Sequence, residues 1–77
     1  MNSTRIQNLS ERKRQILRLY CQDVPTKHIA RKLGITPSGI ATHMSQAKEI
    51  LGTQTLTGLI AKFAVEEALL KQRGRAA

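Results

Sequence analysis

The sequence predicts an all-α fold, a four-helix helix-turn-helix domain. Three observations predict it. Apolar residues recur at helical spacing, i, i+3/i+4, i+7, over most of the chain. Capping and breaking residues interrupt that pattern where helices must start or stop: Ser10, Gly34, Thr36-Pro37 and Gly52. The stretch from Thr26 to Leu51, TKHIARKLGITPSGIATHMSQAKEIL, reads as a short helix, a glycine turn and a longer helix.

The first eight residues are polar and are read as a flexible segment, with the folded domain spanning 9–73 and a short tail at 74–77. Leu9-Ser10 supplies an apolar residue followed by an N-cap, so the first helix begins there and runs to about Gln22. Ile16, Leu17, Tyr20 and Cys21 form its inward stripe, and Val24 closes the end. Arg12, Lys13, Arg14 and Arg18 occupy the rest. Three of these lie in or near the first turn, where the helix dipole prefers acids and each cation costs about a few tenths of a kcal/mol. Such a placement suits a phosphate partner, and equally a solvated face that aids solubility.

Asp23-Val24-Pro25 makes the first connection, and Thr26 is read as the cap of the second helix. Ile29, Ala30 and Leu33 are its apolar side. Gly34 follows where a left-handed residue is needed. Thr36 is a good N-cap for the third helix, and Pro37 sits at its first position, where the missing N–H is no loss. Ile40, Met44, Ala47 and Leu51 then share one face, and Ser38, Thr42, Ser45 and Gln46 the opposite one. After the turn Gly52–Thr55, a last helix runs from about Leu56 to Gln72. It carries two apolar stripes. Leu56, Leu59, Ile60, Phe63 and Leu70 make one, interrupted by Glu67. Gly58, Ala61, Val65, Ala68 and Leu69 make the other. Glu67 and Lys71, at i, i+4, would add about a few tenths of a kcal/mol to helix stability.

Composition narrows the function. Seventy-seven residues make one small domain, which buries only about 60% of its unfolded surface, so dimerisation is one route to added stability. Tyr20 and Phe63 are the aromatics, so the core is aliphatic. The net charge is +8, unevenly spread: residues 1–33 hold eight Lys/Arg against two acids, and 34–77 hold five against three. A basic face of this kind calls for a polyanion, nucleic acid being the usual one. No apolar run reaches membrane-spanning length, and the start, MNSTRIQN, lacks the apolar core of a signal peptide. The lone Cys21 rules out an internal disulfide, fits a reducing cytosol and is read as a buried, inert thiol. His28 and His43 are far apart and without clustered acids or cysteines, so no metal and no cofactor is expected. Nor is there a nucleophile–base grouping, a phosphate-cradling glycine loop or a carboxylate pair at useful spacing, so an enzyme is not expected.

IARKLGITPSGIATHMSQAKEILG resembles the helix-turn-helix of LuxR/GerE-type transcription regulators, and LSERKRQILRLY resembles that family's first helix. The resemblance covers about Leu9 to Phe63. The fourth region of sigma factors has a related pattern, but His43 and the helix after Gly52 favour the LuxR/GerE side. The sequence departs from the family in having Lys13 where a glutamate is usual, His28 for another glutamate, and Gly39 for a threonine. From Gly34 to Ala47 it also has no Lys or Arg, where relatives often carry them.

The resemblance implies a sequence-specific regulator of transcription that binds double-stranded DNA as a homodimer. By family position Ala41, Thr42, Ser45 and Gln46 face the major groove, where glutamine, serine, threonine and alanine have suitable base partners. Lys27, Thr36, Ser38 and His43 would meet phosphate, with Arg12 and Arg31 flanking the duplex. The last helix is the family's dimer contact, which makes Gly58, Ala61, Val65, Ala68 and Leu69 the expected interface. RNA polymerase is a further partner, activation and repression being equally compatible with these residues. No small-molecule ligand is expected, and the location is the bacterial cytosol with its nucleoid. The alternative is a sigma-region-4-like adaptor or antagonist acting through protein contacts with polymerase or another regulator.

Overall fold

The helical spacing is realised as four α-helices: α1 Glu11–Cys21, α2 Thr26–Leu33, α3 Pro37–Leu51 and α4 Leu56–Arg75. The computed structural model describes residues 5–75, and the side chains of residues 6–72. No strand occurs among the described residues.

Each helix boundary has a local cause. Ser10 is extended (φ −66°, ψ 162°) and its hydroxyl accepts the Lys13 N–H at 3.2 Å, which starts α1. At the other end Asp23 is left-handed (φ 65°), and the Val24 N–H donates back to the Leu19 carbonyl at 3.1 Å. The same six-to-one closure ends α2, where Gly34 (φ 71°) lets Ile35 N–H reach the Ala30 carbonyl at 3.0 Å. Gly52 (φ 70°) and Thr53 N–H on the Lys48 carbonyl, 2.9 Å, repeat it after α3. Thr55 opens α4 by accepting the Gly58 N–H at 3.0 Å.

α3 runs through the middle and packs on α1, α2, α4 and the N-terminal turn. Its inner residues Ile40, Met44, Ala47 and Leu51 join Ile16 and Leu17 of α1, Ile29 and Ala30 of α2, and Leu59 and Phe63 of α4 in one hydrophobic core. Phe63 is the largest fully buried side chain. Full burial of a side chain of this kind contributes about 1.5–3 kcal/mol.

Six expectations are corrected. The segment read as flexible through residue 8 is ordered at its end: Arg5–Asn8 forms a 3-10 turn that puts Ile6 (1% exposed) into the core beside Leu9. Residues 1–4 lie outside the described residues. Cys21 is exposed: it is the last residue of α1, where the buried stripe of Ile16 and Leu17 has run out. Thr26 does not cap α2. Pro25 is the N-cap, without a side-chain hydrogen bond, and the Thr26 hydroxyl instead meets Tyr20 Oη at 2.6 Å. Glu67 does not turn to Lys71. It lies 2.9 Å from Arg18 Nε, so the charge that interrupts the inner stripe of α4 is neutralised from α1. Leu56, placed in that stripe, is 36% exposed at the start of α4. The helix also continues past Gln72 to Arg75.

Candidate nucleic-acid interface

α3 is fixed by its inner face and its cap, leaving the outer face free. The Thr36 hydroxyl accepts the Gly39 N–H at 3.0 Å, and Pro37 follows at the first helical position. Ser38, Ala41, Thr42, Ser45 and Gln46 are all exposed. Four of the proposed base readers therefore stand on one outward surface, together with Ser38 from the phosphate set. Thr42 Oγ1 donates to the Ser38 carbonyl at 3.2 Å, which commits its proton and leaves the hydroxyl oxygen as an acceptor. The Thr36 hydroxyl is used in the opposite sense: it accepts the cap bond and keeps its proton to donate.

A cleft of about 270 Å³ runs along one flank of α3, lined by Ala41, Ser45, Lys48, Tyr20, Thr26 and Leu56, among others. The other flank meets α1. There Lys13 Nζ lies 3.3 Å from Nδ1 of the half-buried His43. Partial desolvation, then the charges of Lys13 and Arg12, lower the His43 pKa below its ordinary 6.5, so the ring is neutral at pH 7. His43 thus braces α3 against α1 as a neutral imidazole.

The remaining phosphate candidates stand on neighbouring elements. Lys27 and Arg31 are exposed at i, i+4 on one side of α2. Arg12 reaches from α1 to the end of α2, Nη1 to the Leu33 carbonyl at 3.5 Å. Lys13 was legible only as a cation in an unfavourable turn, since its contact with His43 spans 30 residues and no local pattern encodes it.

On α4, Ala61, Val65, Ala68 and Leu69 are exposed and Gly58 is half-buried. Val65 and Leu69, 59% and 54% exposed, are the large apolar side chains on that surface. Among the described residues no group of three or more His, Cys, Asp or Glu could hold a metal ion, and no helix is long and apolar enough to cross a membrane.

A family model, GerE, described as bacterial regulatory proteins, luxR family, matches residues 7–63, most of the chain. The chain belongs to that luxR family. As a luxR-family helix-turn-helix protein it acts at the level of DNA-binding transcription regulation. The match begins at Gln7, beside the buried Ile6, and ends at Phe63, the last fully buried residue of α4 among the described side chains. No curated protein and no solved structure matches the chain.

Proposed function

We propose that this luxR-family protein reads a specific double-stranded DNA sequence as a homodimer, with α3 of each copy in the major groove. The observation that carries the reading is the outward face of α3. It is small and polar, and the opposite face is locked into the core. Gln46 suits bidentate pairing with adenine. Thr42, with its proton committed, suits the exocyclic amino donors of adenine or cytosine and can lay its methyl on thymine. Ser45 serves several bases, and Ala41 offers a methyl contact. Lys27, Arg31 and Arg12, with Thr36, Ser38 and His43, supply backbone contacts that set register. Gly58, Ala61, Val65, Ala68 and Leu69 form the contact between copies, since a helix with a second exposed apolar face calls for a partner. The protein works in the bacterial cytosol, with RNA polymerase as a further contact.

Selection of binding sites from a random duplex pool tests this. The expected product is an inverted repeat with half-sites about one helical turn apart, bound with an affinity that falls with salt. Recovery of no motif overturns sequence-specific reading. One observation favours a second reading, a protein-binding adaptor: α3 carries no Lys or Arg from Pro37 to Ala47. A promoter reporter separates the two. Alanine at Thr42 and Gln46 abolishes the response if α3 reads bases, and leaves it intact if the adaptor reading holds.

A further inference from the structure

We propose that Lys13 of α1 is the cation that anchors a DNA backbone phosphate at the flank of α3, sharing that phosphate with the imidazole of His43. The inference rests on α3 lying in the groove. An ammonium has hydrogen-bond donors and no acceptor, so its 3.3 Å contact with Nδ1 requires that nitrogen to be unprotonated. The ring proton then sits on Nε2, which becomes a donor beside the two N–H bonds that Lys13 keeps. Two elements thereby aim donors from one spot.

Charge argues the same way. Lys13 and Arg12 crowd a neutral imidazole, and among the described residues neither has a carboxylate within 4.0 Å. An anion relieves that crowding. The groove-facing part of α3 has no cation of its own through Ala47, so positive charge on this flank has to come from another helix. The position also fits a phosphate rather than a base. His43 stands about 100° round the helix from Thr42 and about 60° from Gln46. That is the edge of the reading face, where the groove wall runs when the centre of the face meets base edges.

The test follows binding of the full chain to a labelled duplex of fixed sequence over a series of salt concentrations. Lys13→Met should weaken binding to all duplexes alike and reduce the log–log salt slope by about 0.9, one phosphate contact. Lys13→Arg should restore the slope, and base preference should stay as in the parent. An unchanged slope in Lys13→Met, with the parent still binding, overturns this proposal and leaves the DNA reading standing. A parent that binds no duplex overturns both. Nitrogen-15 NMR of the parent's His43 gives a check that needs no variant: the proton should be on Nε2, and a ring protonated on Nδ1 alone sinks the proposal.

Discussion

At the scale of single residues, two positions carry opposite lessons about what the backbone requires. Gly39 is not demanded by space or by φ. A Cβ built there would sit 3.4 Å from Thr36 Oγ1 and 3.8 Å from Ile35 Cβ, both ordinary contacts. Since glycine costs a helix about 0.8–1 kcal/mol relative to alanine, Gly39→Ala should raise the unfolding free energy by up to about 1 kcal/mol in urea titration. If the same variant binds duplex DNA more weakly, the glycine is there for close approach to the backbone. His43 is constrained by charge instead. Its folded pKa lies below 6.5 through partial desolvation, then Lys13 and Arg12, so the unfolded chain binds the proton more readily. Well above 6.5 the ring is neutral in both states and exerts no pH effect. As pH falls from 6.5 through the depressed folded value, stability is lost. The urea midpoint should therefore drop over that window, and His43→Gln should flatten the dependence.

At the scale of elements, the caps were legible because they are local: Ser10, Gly34, Thr36 and Gly52 act within three to five residues of themselves. The inner face of α3 was legible because its periodicity is clean. What escaped the sequence depends on distant partners. Glu67 looked like a break in an apolar stripe, and only the fold shows Arg18, 49 residues away, filling the gap. Cys21 looked buried because it shares the apolar stripe of Ile16, Leu17 and Tyr20. It is exposed, and partial burial of the thiol, then the Glu67 carboxylate, raise its pKa above 9.0, which keeps it protonated. Ile6 was hidden among polar neighbours, though Ile6 and Leu9 lie one 3-10 turn apart and fold onto α3 and α4. The N-terminal turn is thus a structural element. Ile6→Ala should cost about 2–5 kcal/mol, as core truncations to alanine do. In a domain this small that is a large share of the total. A thermal melt unchanged from the parent would show that the turn contributes nothing.

At the scale of the whole molecule, the proposed function divides the surface between two tasks. α1 brings Lys13 to the flank of α3, while α4 turns Val65 and Leu69 to solvent far along the chain from that face. On the proposed reading, each α3 offers one short base-contacting face. A single domain holding one half-site relies on few contacts, whereas two copies joined through α4 double them and fix the spacing. The pair Val65→Lys and Leu69→Lys places charge on the proposed contact without touching the core. Sedimentation should then find a monomer where the parent is a dimer, and thermal stability should fall only by what the dimer contributed. Binding to an isolated half-site should persist, while the advantage of the inverted repeat over the half-site disappears. A double variant that keeps both its dimer and its preference for the repeat would move the interface off α4.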